Sequence, residues 1–166
     1  MNIEEMTPSQ APDSGFRFLV AVAEYNSLVT VRLLEGALET LRAEGGAVSS
    51  VTVVRVPGAL ELPFVARRAA ESGRFDGVLA LGCVIRGETG HYDAVVSGVT
   101  SGLSGLNAEG LIPIVFGVLT TDTLVQALDR VGGKAGHKGA EGALSLLSMA
   151  RLSSAIPRTP SGKRSA

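Results

Sequence analysis

Four segments gather residues of chemical use behind short apolar runs. They are AEYNS with Tyr25, VPGALELP with Glu61, LGCVIRGETGHYD with Cys83, Arg86, Thr89 and His91, and FGVLTTD with Thr120 and Thr121. Together they offer an aromatic face, an acid, a cation, a histidine, hydroxyls and exposed amides, and the third segment runs into a helix start. Backbone N–H groups and the helix dipole at such a start favour a phosphate or another anion. Nucleotide-loop rules are not met, because GCVIRGETG lacks the G-x-G-x-x-G spacing and GGKAGHKG does not place a Gly-Lys pair five residues after a first glycine. Cys83 and His91, eight residues apart across a strand-to-helix turn, pose a thiol hydrolase as one alternative. No third group stands ready to orient that pair, and Cys83 ends an apolar run. With a single cysteine and only His91 and His137 as histidines, neither an internal disulfide nor a zinc cage is expected.

The elements that must position these residues are legible from periodicity. Continuous, β-branched apolar runs at 16–23, 51–56, 77–81 and 112–118 predict parallel strands covered on both faces. Leu28, Val31, Leu34, Leu38 and Leu41 fall three or four apart and predict a first helix that Gly45-Gly46 ends. Further helices are expected over 61–70, with Pro63 in the first turn, over 92–106, over 122–131 and over 138–152. In the third of these five helices Gly98, Ser101, Gly102 and Gly105 leave one face nearly bare, which predicts a close neighbour, most simply another backbone. The alternation of strand and helix gives an α/β three-layer sandwich with a four-stranded parallel sheet flanked by helices. Its ligand site should lie beyond the carboxyl ends of the strands, where the four segments are expected to converge on one rim.

Composition bounds the rest. The chain has 166 residues, with 15 Lys plus Arg against 16 Asp plus Glu and a net charge of -1, so no electrostatic footprint for nucleic acid or an anionic membrane exists. The longest apolar runs fall far short of the ~20 residues that cross a bilayer. No secretory signal pattern opens the chain, and the cytoplasm is the expected compartment. Charged residues make up 19% of the sequence, below the usual value of about 25%, and burial between subunits would account for the deficit. Residues 1–15 and 153–166 lack apolar periodicity and are expected to be a flexible arm and tail around a domain at 16–152.

VPGALELP, GCVIRGETGHYD and FGVLTTDTLVQALDRVGGKAGHKGAEGA resemble, in order and spacing, the signature segments of the 6,7-dimethyl-8-ribityllumazine synthase family. The resemblance implies a flavodoxin-like fold and a cofactor-free condensation of 5-amino-6-(D-ribitylamino)uracil with 3,4-dihydroxy-2-butanone 4-phosphate, in riboflavin biosynthesis. It also implies a site between adjacent subunits of a pentamer, and the short GGKAGHKG connection resembles members that build sixty-subunit shells, with riboflavin synthase as a candidate partner. Pro8 and Pro12 cut against an arm that adds a strand to the neighbouring sheet, which needs free N–H groups.

Residue by residue, the resemblance gives His91 the proton-transfer role, which suits an imidazole titrating near neutrality. A helix-start histidine bonded to Asp93 is the purely structural alternative. Arg130 matches the phosphate grip, where a guanidinium fork suits a dianion, and Glu88 with Thr89 would complete that phosphate site. Tyr25 takes the place of the usual Phe or Trp stacked on the pyrimidine and keeps the π face. Asn26, Ala59, Leu60, Glu61, Cys83, Val84, Ile85 and Phe116 match the pocket wall, with Glu61 on a ribityl hydroxyl. For Leu60, Cys83 and Phe116, core packing stands as an equal reading. Lys138, near the ribityl chain, and Glu141 are either site residues or an intersubunit ion pair. Gly90 and His137 depart from the residues usual in the family. A homologue that has lost catalysis and persists as a flavin carrier or container is the competing reading.

Overall fold

The computed structural model describes residues 1–10 and 12–156. Four strands, β1 (Phe16–Ala23), β2 (Val48–Val56), β3 (Gly77–Ile85) and β4 (Ile114–Thr121), form one all-parallel sheet in the order β2-β1-β3-β4. The helices α1 (Ser27–Ala43), α2 (Leu62–Glu71), α3 (His91–Glu109), α4 (Leu124–Leu128) and α5 (Lys138–Ala155) connect and follow them. This is the α/β sandwich that the alternation predicts, flavodoxin-like as the resemblance implies.

The unbroken apolar pattern of β1 has a direct cause. Phe18, Val20 and Val22 pack on one side with Val29 and Leu33 of α1 and Leu146 of α5, while Leu19, Ala21 and Ala23 pack on the other with Leu62 of α2 and Val99 of α3. A central strand with both faces covered has no polar side to show. Outer β2 departs from that expectation. Only Val56 of its nine residues is buried, and Val53 is 37% exposed. An apolar run signals burial somewhere, and this chain alone does not supply it for β2. At the opposite edge β4 likewise leaves one side unpaired, with Phe116 41% exposed.

Close approaches are made by glycine. A side chain at Gly139 of α5 would overlap the Leu33 carbonyl of α1, so the two helix backbones meet there. On α3 the near neighbours are side chains and not a backbone: a Cβ at Gly98 would lie 2.8 Å from Leu60, and one at Gly102 2.7 Å from Pro63. Gly98 and Gly102 of α3 are thus fitted to α2 and the turn before it, while a Cβ at Gly105 would meet nothing within 4 Å.

The fourth helix is shorter than the predicted 122–131. Thr123 caps it by accepting the Gln126 N–H, and after Asp129 the chain turns into a small antiparallel pair, β5 (Val131–Gly133) with β6 (Gly136–His137). Gly132 (φ +105°) and Gly136 (φ +80°) permit that reversal. The short GGKAGHKG connection thus lies largely in a hairpin that delivers Lys138 to the start of α5.

α5 runs to Ala155, three residues past the expected domain end, and the part of the expected tail from 157 onward lies outside the described residues. Arg151 donates to Asp13 at 2.7 Å and comes within 3.7 Å of Glu44, which ties the end of the N-terminal arm to α5. Among the described residues no helix is long and apolar enough to cross a membrane.

Candidate functional site

The exits of β1, β2 and β3 build one cleft of about 360 Å³, with the start of α3 at its side. After β1 the parallel ladder continues, Glu24 N donating to Val56 O at 2.8 Å and Tyr25 N to Pro57 O at 3.2 Å. Asn26 then turns left-handed at φ 58°, a conformation that Asn tolerates better than most side chains, and opens α1. Its Nδ2 donates to Cys83 O at 2.8 Å, which fastens the β1 exit to the end of β3.

Tyr25 is 71% exposed, and its ring lies so near Gly58 that a Cβ there would stand 3.0 Å from Cδ2. Glycine at 58 is what lets the aromatic face settle against the β2 exit. The Gly58 N–H donates to Glu61 Oε2 at 2.9 Å, so the Glu61 carboxylate is set by the turn Ala59–Glu61 on the wall of the cleft. Ala59, Leu60, Cys83, Val84 and Ile85 complete the wall. Val95 closes the floor; it lies four residues after His91 on the same helix face, a spacing that a search of α3 for pocket residues would have caught. Cys83 is 4% exposed and burial pushes its thiol up to about 11, so it is protonated near neutrality and a poor nucleophile.

His91 is the first residue of α3 and faces this cleft. Its backbone N–H donates to Thr89 Oγ1 at 3.4 Å, and no described residue takes a hydrogen bond to the imidazole. The structural alternative of a bond to Asp93 does not hold, because that carboxylate accepts from Arg86 at 3.3 Å. Arg86 is held as well by Asp122, whose hydrogen bond at 3.1 Å raises the guanidinium above its ordinary value.

The β4 exit does not join that rim. Phe116, Thr120 and Thr121 instead line a second cleft of about 670 Å³ along the open edge of β4, with Arg130, Lys138 and Glu141. The expected convergence of four exits is thus a division into three and one: β4 is an edge strand, so its free side points away from β1. No residue lines both clefts. Lys138 and Glu141 form an ion pair on the first turn of α5. The Arg130 guanidinium pairs with no carboxylate among the described residues, while its backbone carbonyl accepts from Lys138 N at 2.8 Å, which ties the start of the hairpin to the start of α5. Gln126, Asp129 and Ser145 also line this cleft and carry no sequence pattern of their own. Glu88 and Thr89 are exposed in the loop before α3 and line neither cleft.

Each chain therefore carries a largely apolar cleft beside an exposed aromatic face and, at a different place, a polar cleft in which Arg130 has no carboxylate partner among the described residues while Asp129 and the Lys138–Glu141 pair line the same walls. The family model described as 6,7-dimethyl-8-ribityllumazine synthase matches residues 15–154. A protein of Pediococcus pentosaceus named 6,7-dimethyl-8-ribityllumazine synthase is 47% identical over 145 residues, covering 87% of this chain and 93% of that one. One of Chlorobaculum parvum with the same name is 44% identical over 151 residues, covering 91% and 94%.

Proposed function

From the premise that the chain belongs to the 6,7-dimethyl-8-ribityllumazine synthase family, we propose which of its side chains carry the family's reaction and how copies share the work. The reaction is the condensation of 5-amino-6-(D-ribitylamino)uracil with 3,4-dihydroxy-2-butanone 4-phosphate to 6,7-dimethyl-8-ribityllumazine, with loss of phosphate and water. It makes the protein a transferase of riboflavin biosynthesis.

The pyrimidine stacks on Tyr25 in the strand-exit cleft, and backbone amides along 83–85 read its edge. Glu61 takes a ribityl hydroxyl on the carboxylate oxygen that Gly58 leaves free. His91, at the start of α3 on the wall of the same cleft, takes and returns protons as the imine forms and phosphate departs. Arg130 grips the phosphate, and Lys138 lines the same cleft.

The single observation that carries this reading is the division of the site. Within a chain the unpaired guanidinium lies in one cleft and the stacking rim in another. Copies in a ring, each β4 edge facing the next chain's strand exits, would join the halves head to tail. A pentamer is the ring we propose, and a shell of twelve pentamers its assembly. Light scattering near one megadalton supports sixty copies of the 17.0 kDa chain, and about 85 kDa supports five.

Purified protein mixed with both substrates and followed by lumazine fluorescence tests the activity. Turnover well above the spontaneous condensation is expected. A rate equal to that background would overturn the enzyme in favour of a carrier or container.

A further inference from the structure

Arg86 lies between the two clefts and lines neither. Its backbone N–H donates to Thr121 O at 2.9 Å, which carries the β3–β4 pairing one residue past Ile85. From that fixed base the side chain reaches two other elements. Nε donates to Asp122 Oδ1 at 3.1 Å at the β4 exit, and Nη1 to Asp93 Oδ1 at 3.3 Å in the first turn of α3. The guanidinium carbon stands 4.0 Å from the centroid of the Tyr92 ring.

Little else holds the start of α3. The loop 87–90 reads GETG, and a Cβ added at Gly87 or Gly90 would meet nothing within 4 Å. Gly90 caps the helix without a side chain, and the one side-chain acceptor given to the first turn is Thr89 Oγ1, a long 3.4 Å from the His91 N–H. The two residues that follow His91 are the two that Arg86 holds. We propose that Arg86 is a positioning residue for the condensation: by strapping Tyr92 and Asp93 to the β4 exit it fixes where His91 stands beside the Cys83–Ile85 wall.

The inference rests on the assignment of His91 made above. Exposed ion pairs are weak one at a time. Here two charge-assisted bonds and a cation–π stack share one planar fork, which a lysine cannot reproduce. A phosphate-binding role for Arg86 is disfavoured by the same contacts, since a dianion approaching it would meet Asp93 and Asp122.

The test is steady-state kinetics of the assembled enzyme carrying Arg86→Met or Arg86→Lys, each in the wild-type and the His91→Ala background. Hydrogen exchange of peptides spanning 87–97 is measured alongside. Arg86→Met should lower kcat about five-fold, change KM for the phosphate substrate less than about two-fold, and speed exchange in the first turn of α3 about ten-fold, with Arg86→Lys close behind. On top of His91→Ala it should cost less than about two-fold, because a residue acting through another loses its effect with it.

A ten-fold rise in KM for the phosphate substrate at unchanged kcat would make Arg86 a ligand and overturn the proposal. So would unchanged exchange, or a full five-fold loss added to an already impaired His91→Ala. Wild-type turnover by His91→Ala itself would remove the assignment of His91 and this inference with it, an outcome distinct from additivity, which sinks the strap alone. If Arg86→Met fails to assemble, Asp93→Asn removes one side of the strap and carries the same cycle.

Discussion

The strand-exit cleft and the β4-edge cleft are built in opposite ways. The first is framed by backbone: ladder bonds carried past the ends of β1 and β2, a left-handed Asn26 tied to Cys83 O, and a glycine that lets Tyr25 lie flat. Its recognition elements are a ring face and amides that folding itself holds in place. The second is lined by the edge of β4 and by side chains on a short helix, a hairpin and the start of α5, and it holds a guanidinium with no carboxylate partner among the described residues. A planar heterocycle needs a rigid slot, whereas a dianion needs charge that nothing has yet neutralised. The contrast teaches that one chain keeps its ring-sized slot and its unpartnered guanidinium apart, a separation that the proposed head-to-tail ring would close.

Arg130→Ala should break the comparison most. Losing a charge-assisted grip worth about 3 kcal/mol raises KM for the butanone phosphate about 100-fold while the pyrimidine KM stays near its value, read by initial rates. An unchanged butanone KM would strip the second cleft of its role.

Co-expression of His91→Ala with Arg130→Ala chains comes next. If the site spans a head-to-tail contact, about one interface in four joins two intact halves, and kcat/KM returns to about a quarter of wild type. A site confined to one chain leaves the mixture no better than its components.

Asn26→Ala sharpens the first half. It loses the bond to Cys83 O and pays for a left-handed backbone, about 2 kcal/mol together, visible as a lowered midpoint in urea. Asn26→Gly keeps the backbone free and should lose less.

Cys83 gives the smallest effect. Iodoacetamide at pH 7 should leave turnover intact, because burial keeps the thiol protonated. The folded chain holds that proton up to about 11 while the unfolded chain releases it from about 9.0, so stability is full below 9 and falls as pH rises through 11. Thermal melts of Cys83→Ala should lack that slope; equal slopes would place the thiol in a wetter environment.

Much of this was legible in the chain. The apolar run 16–23 could only be a strand buried on both faces, and the structure ends it at the same residues. The 3.6-residue spacing of α1 and the Pro63 start of α2 likewise depend on local rules. Tyr25, Ala59 to Glu61, Cys83 to Ile85 and His91 sit together because each follows directly on a strand end. Less legible were elements decided by contacts distant in sequence. The run 51–56 reads like 16–23, yet lies at a sheet edge because β1 and β3 pair with each other. The hairpin at Val131–Gly133 leaves only glycines and one valine to read, and Arg86 looked like a rim cation until Asp93 and Asp122 closed on it.

Local order thus determined which residues end strands, where helices begin, and which chemical groups follow each one, since periodicity and capping act over a few neighbours. Tertiary structure alone decided strand order. That order leaves β4 at an edge and puts Arg130 and Lys138 in one cleft and Tyr25 and His91 in another. Which strand pairs with which depends on burying both faces of the most apolar strands at once, a condition on the whole sheet that no stretch of sequence contains.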